Sequence, residues 1–144
     1  MLLGEYDHTI DEKNRLTLPA KFRQAMAGGV VLTRGFDTCV YAFPADGWLE
    51  LVESNLAGLN PLSRESRVIE RFFYTGAIEA QPDKQGRVML PPQLLEHAAL
   101  GKEVVVVGMR DRVEIWDRAA WRAQLKEVME SAEHVAERLA AQHD

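Results

Sequence analysis

The chain has 144 residues, of which 47% are hydrophobic and 27% charged, an ordinary globular composition with enough length for one domain and a real core. No apolar stretch is long enough for a membrane-spanning helix, and the single cysteine, Cys39, rules out an internal disulfide and points to a reducing compartment. A formal net charge of −5 counts against a simple electrostatic nucleic-acid binder, so any basic surface has to be local.

Met1 to Asp7 carries neither a basic segment nor a long apolar run, so no secretory signal is expected and the expected compartment is the cytoplasm. Residues 5–10 read as a short strand. Residues 11–18 read as a turn and a return strand. Asp11 suits a turn because its carboxylate bonds the backbone two residues on. Asn14 falls where a type I turn followed by a bulge requires positive φ. Leu16 and Leu18 then share one face, and Arg15 and Thr17 the other. Pro19 opens a short helix over 19–27, with Phe22, Ala25 and Met26 inward, and Gly28-Gly29 stops it. Val30-Val31-Leu32-Thr33 is a buried-type strand, Gly35 to Thr38 a turn, and Cys39 to Phe43 the returning strand. A helix is predicted from about Ala45 to Ala57, with Trp48, Val52 and Leu56 on one stripe.

Ser63 can cap a linker helix over about 61–74, ending near Phe73, with Arg64, Arg67 and Arg71 on roughly one face. A solvated face explains these arginines, and DNA contact is the competing explanation. Thr75 to Ala80 is the next predicted strand. The turn motif then recurs, Asp83-Lys84-Gln85-Gly86-Arg87-Val88-Met89-Leu90-Pro91 matching Asp11-Glu12-Lys13-Asn14-Arg15-Leu16-Thr17-Leu18-Pro19 at an offset of 83 − 11 = 72. Val88 and Leu90 take the inner face; Arg87 and Met89 lie outside. A helix through Leu94, Leu95 and Ala98 ends at Gly101. Val104 to Val107, a turn at Gly108 to Asp111, and Val113 to Trp116 form the second hairpin. Gly35 aligns with Gly108, Val40 with Val113, Phe43 with Trp116 and Trp48 with Trp121, at an offset of 121 − 48 = 73, so one insertion separates the halves. Leu125 and Met129 repeat the stripe of Val52 and Leu56. The tail over about 131–144 is helical in pattern, with Val135 and Leu139 four apart among acidic residues. The internal repeats thus span about 5–57 and 76–130.

Turn chemistry alone does not require Arg directly after each turn. A guanidinium at a rigid hairpin tip, steadied by an Asp four residues earlier, suits a phosphate or a base edge. Arg15 and Arg87 are therefore the candidate base readers, and Lys13, Lys84, Lys21 and Arg23 the candidate phosphate contacts. Asp11, Asp83, Asn14 and Gly86 are the residues that build the motif. The two turns are expected side by side on one surface, related by a pseudo-two-fold axis. His8, His97, His134 and His143 are scattered without cysteine companions, so no metal site is expected. No phosphate-binding glycine loop occurs. Each Asp has its own Arg, which keeps both carboxyls ionised and argues against acid catalysis. An enzyme, a cofactor, a small-molecule substrate and a membrane partner are not expected.

The paired Asp-x-x-x-Arg motifs at Asp11/Arg15 and Asp83/Arg87, the start near Gly4 and the duplicated layout resemble the MraZ family of bacterial transcriptional regulators over nearly the whole chain. The resemblance implies an α+β fold in which two tandem pseudo-repeats interlace into one swapped-hairpin, AbrB-like β-barrel with flanking helices. It implies a nucleoid-associated repressor that binds double-stranded DNA at promoter repeats upstream of its own operon in the division and cell-wall gene cluster, and a ring-like homo-oligomer. Asn14 stands where Gly is the commoner family choice. Two other classes remain open on the residues: a pure assembly protein, and an antitoxin-like binder of a partner protein.

Overall fold

Strands with apolar residues at every position need cover on both faces, and this requirement sets the layering. A computed structural model describes residues 1–142. The strands are β1 (Glu5–Thr9), β2 (Arg15–Thr17), β3 (Val30–Arg34), β4 (Val40–Pro44), β5 (Ile78–Ala80), β6 (Arg87–Met89), β7 (Glu103–Gly108) and β8 (Val113–Asp117). Six of them form an antiparallel sheet in the order β1-β7-β8-β4-β3-β5, and β2 pairs with β6 in a separate two-stranded ribbon. On one face of the sheet Val30, Leu32, Val40, Ala42, Val104, Val106, Val113 and Ile115 pack against the ribbon's Leu16, Leu18, Val88 and Leu90. The helices α1 (Ala20–Met26) and α5 (Pro92–His97) complete that layer through Phe22, Met26 and Leu94. On the other face Val31, Tyr41, Phe43, Val105, Val107 and Trp116 are covered by three helical segments.

The first is α2 (Ala45–Gly47), a π-helical turn Trp48–Glu53 and α3 (Ser54–Ala57), one continuous helical stretch that buries Trp48 and Leu56. The second is α4 (Arg64–Gly76), which contributes Phe73. The third is the start of α6 (Arg118–Gln142), which contributes Ala120 and Trp121. No helix among the described residues is long and apolar enough to cross a membrane.

The halves interlace through the sheet. β1 of the first half pairs with β7 of the second, and β5 of the second pairs with β3 of the first. A pseudo-dyad runs through the Tyr41↔Glu114 pair, flanked by Val40↔Ile115 and Ala42↔Val113, and through Leu16↔Val88 in the ribbon. Within its own half β3 pairs only with β4, and β7 only with β8, so each leaves one open edge that a strand of the other half closes.

The structure corrects several sequence expectations. The offset between halves is 72 in the ribbon, but Thr33 and Val107, which pair with Tyr41 and Glu114, lie 107 − 33 = 74 apart, while Tyr41 and Glu114 lie 114 − 41 = 73 apart. Two residues are thus gained before β7 and one is lost in the following turn, so Arg34, not Gly35, is the counterpart of Gly108. Ala25 faces solvent; Phe22 and Met26 alone carry α1 inward. The tail is no separate element: nothing between Arg118 and Gln142 breaks the helix, and α6 runs through. The last two residues of the predicted tail, His143 and Asp144, lie outside the described residues.

Helix α4 runs three residues beyond Phe73, to Gly76, and the following strand starts at Ile78, not Thr75. Its Ser63 cap is present, the Oγ accepting from Ser66 N at 3.4 Å. The extension has a tertiary cause. Carbonyls of a last helical turn need outside donors, and β3 supplies them: Arg34 Nη1 donates to Phe72 O at 2.9 Å, and Thr33 Oγ1 donates to Phe73 O at 2.7 Å. Arg34 also bonds Thr75 Oγ1 at 2.8 Å. Replacing Arg34 with Ala strands a carbonyl in a packed corner and should cost about 1–3 kcal/mol, read from the midpoint of urea denaturation. An unchanged midpoint would contradict this capping role.

Candidate nucleic-acid interface

Each motif begins with a turn whose amides need acceptors, and one carboxylate satisfies most of them. Asp11 Oδ1 accepts from the amides of Lys13 and Arg15, both at 2.9 Å, and its Oδ2 accepts from Arg15 Nε at 2.8 Å. Asp83 does the same for Gln85 and Arg87 at 2.9 Å, and for Arg87 Nε at 2.7 Å. Asn14 and Gly86 hold φ of 60° and 76°, the left-handed position where Gly and Asn are the favoured residues. Both guanidiniums are thereby fixed by Nε alone, and neither Arg15 nor Arg87 makes an Nη contact among the described residues. Those Nη groups are the edge that a bidentate acceptor uses.

The ribbon then sets the two motifs in relation. Arg15 pairs with Met89 and Thr17 with Arg87. Cross-strand partners share a face, so Arg15, Thr17, Arg87 and Met89 form one outer face, while Leu16 and Val88 are buried beneath. Arg15 and Arg87 are diagonal neighbours across the ribbon, about 7–8 Å apart at the backbone. The turns themselves do not lie side by side. Antiparallel pairing puts one at each end of the ribbon, tied across it by Leu90 N to Asn14 O and Leu18 N to Gly86 O, both 2.8 Å. What converges is the pair of arginines.

The other predicted residues take varied places. Lys13 and Lys84 are exposed in the turns, and Lys21 is exposed on α1. Arg23 reaches from α1 over the second turn. Its Nε donates to Leu18 O at 3.1 Å, and its stem lies so close to Gly86 that a Cβ there would sit 2.7 Å from Arg23 Nε. Burial, and then the Arg23 charge, hold the His8 imidazole below its ordinary pKa, against a smaller opposing pull from Asp7. At the first turn the residue matching Arg23 is Leu95, and Asn14 is tolerated there. The contrast between Arg23/Gly86 and Leu95/Asn14 at the same 72-residue offset was the available sequence signal for this packing role. Arg64, Arg67 and Arg71 ride on α4, on the opposite side of the sheet from the ribbon. Four basic and two acidic side chains between 11 and 24, with two basic and one acidic between 83 and 91, give the motif region +3 within a chain of −5.

The family model described as "MraZ protein, putative antitoxin-like" matches residues 1–71 and 73–142, the two interlaced halves. The chain belongs to the MraZ family. It is 45% identical over 139 residues to the transcriptional regulator MraZ of Moorella thermoacetica, covering 96% of each chain. It is 43% identical to that of Heliobacterium modesticaldum and 42% identical to that of Caldanaerobacter subterraneus subsp. tengcongensis, with the same coverage. In this MraZ chain the family's paired motif is thus a pair of clamped arginines on one ribbon face.

Backbone amides, Arg15 above all, hold the Asp11 carboxyl below the ordinary carboxylate range, and the Arg87 amide does so for Asp83. A depressed folded-state pKa means that the turns draw full support above the ordinary range and lose it as pH falls through the folded value. The amide resonances of Arg15 and Arg87 should therefore titrate together with their Asp, with midpoints below that of an unperturbed aspartate. Midpoints at or above the ordinary value would contradict the clamp.

Proposed function

We propose that this chain is a DNA-binding transcriptional regulator, not an enzyme, that represses its own operon in the division and cell-wall gene cluster by binding short promoter repeats. The observation that carries this reading is the ribbon: two guanidiniums, each held by Nε and with no Nη partner among the described residues, on one face across a pseudo-dyad. A two-stranded ribbon fits the major groove of B-DNA, and Arg is the commonest reader of guanine there. In this reading Lys13, Lys84, Lys21 and Arg23 neutralise phosphate. The relatives' name, transcriptional regulator, supports it. The cytoplasm, at the nucleoid, is the corresponding location.

Two structural readings belong with it. The interlaced halves correspond to an AbrB-like swapped-hairpin barrel, the ribbon folding over the inner face of the sheet. The working form is a ring-like homo-oligomer, since a local +3 on one subunit gives a weak contact, and repeated contacts on spaced repeats raise avidity by roughly 10²–10⁴. Met129 and Leu139, exposed on α6, with Leu125 and Val135 beside them, offer apolar surface for assembly. The word antitoxin in the family description favours a second reading, a binder of a partner protein; a stoichiometric protein co-purifying with the chain would support it.

The test is a titration of DNA from immediately upstream of the chain's own gene. Arg15→Ala and Arg87→Ala should each weaken binding by about 1–3 kcal/mol and leave the melting temperature nearly unchanged, because both side chains are outside the core. The same titration across salt concentrations should give a log–log slope that steepens with repeat number, about 0.9 per phosphate contacted. Unchanged affinity in both variants would move the DNA role to Arg64, Arg67 and Arg71. A single repeat bound by a verified monomer as tightly as the full promoter would end the oligomer reading.

A further inference from the structure

The two halves of the ribbon face are not equivalent. The pseudo-dyad exchanges Arg15 with Arg87, but it exchanges Thr17 with Met89. Each guanidinium therefore has a different cross-strand neighbour: Arg87 faces a hydroxyl, and Arg15 faces a thioether side chain that is 60% exposed. A single exposed methionine is ordinary on a protein surface. This one differs in its position. It has no place in either apolar cluster, it stands on a strand whose alternate residue Val88 is fully used by the core, and it shares its face with two clamped arginines. The turns carry the same asymmetry. Glu12-Lys13-Asn14 at one end corresponds to Lys84-Gln85-Gly86 at the other.

We propose that Met89 is a specificity-determining residue, whose side chain packs on the C5-methyl group of a thymine beside the base read by Arg15, so that each contact unit on the DNA is asymmetric rather than palindromic. The inference rests on the ribbon being the DNA-reading face. The physical argument is one of matching surfaces. The major groove offers one apolar group, the thymine methyl. An unbranched, polarizable side chain with three rotatable bonds can follow it without strain. Thr17 at the dyad-related position has a smaller methyl and a hydroxyl that bonds either kind of base edge, so it discriminates less. Arg15 and Met89 together thus read a two-base step, and Arg87 with Thr17 reads a looser one.

The experiment uses the full chain and a duplex of the DNA immediately upstream of its own gene, trimmed to the protected region. Thymines are replaced one at a time by deoxyuridine, which removes the methyl and leaves the hydrogen-bonding edge intact. Native protein should bind about fourfold more weakly when the contacted thymine in a unit is replaced, the loss expected for one buried methyl group. Met89→Ala should bind the unmodified duplex about as weakly, and should lose nothing further on that replacement. If Met89→Ala binds the thymine duplex as tightly as native protein, or pays the same deoxyuridine loss at every position, the inference is overturned. Arg15→Ala and Arg87→Ala run beside it. Weakened binding in these with none in Met89→Ala removes Met89 alone; unweakened binding in all three removes the ribbon as the reading face and this inference with it.

Discussion

One carboxylate per half does most of the organising. Asp11 and Asp83 each gather two turn amides and one guanidinium Nε. A turn of this kind leaves inward-pointing amides that would otherwise require water, and an arginine that would otherwise sample many rotamers. Charge-assisted bonds resolve both at once. The surface ion pair itself is worth little for stability at this exposure. Its consequence is positional: the arginine loses freedom before any ligand arrives, which removes part of the ordering cost of binding.

That local device would be idle without the interlacing. A two-stranded ribbon of three residues per strand is not stable alone. Here β2 and β6 stabilise each other, and their inner residues Leu16, Leu18, Val88 and Leu90 rest on the six-stranded sheet. The sheet in turn joins the halves at its centre, where β4 pairs with β8, and at its edges, where β1 and β5 each cross to the opposite half. Duplication gave the chain two copies of one unit, and strand exchange made each copy depend on the other. The copies have since diverged where packing permitted. At the second turn the Arg23 stem lies where a Cβ on residue 86 would sit, and Gly86 leaves that space, whereas the first turn shares a cavity with Leu95 and accommodates Asn14.

Much of this was legible in the residues. The 72-residue offset, the positive-φ positions and the inner and outer faces of the motif strands all follow from local chemistry, since turn residues and period-two alternation act within a few positions. Val30 to Thr33 read as a buried-type strand, and the structure places a layer on each face of the sheet that holds it. The failures were tertiary. The extent of α4 depends on Arg34 and Thr33, some forty positions earlier in sequence, and no local pattern encodes those caps. The slip from 72 to 74 between β3 and β7 is invisible among interchangeable valines, because a shift by two keeps the same face inward. The turns looked adjacent because the motif repeats; antiparallel pairing separates them and converges the arginines instead. Arg23 was assigned to phosphate by its charge; the Arg23/Gly86 against Leu95/Asn14 contrast was in the sequence, but the contact it marks is visible only with α1 set beside the second turn.

The central claim is that geometry, and not charge alone, makes Arg15 and Arg87 the readers. The most direct measurement is the affinity ratio between the native upstream duplex and a scrambled duplex of equal composition, for Arg15→Lys and Arg87→Lys combined. Lysine keeps the charge but has neither the Nε that Asp11 and Asp83 hold nor the forked Nη pair. The account predicts that this ratio falls about ten- to hundredfold for each reader lost, while the salt dependence of binding to the scrambled duplex stays as it is. A double variant that keeps the native discrimination ratio would contradict it.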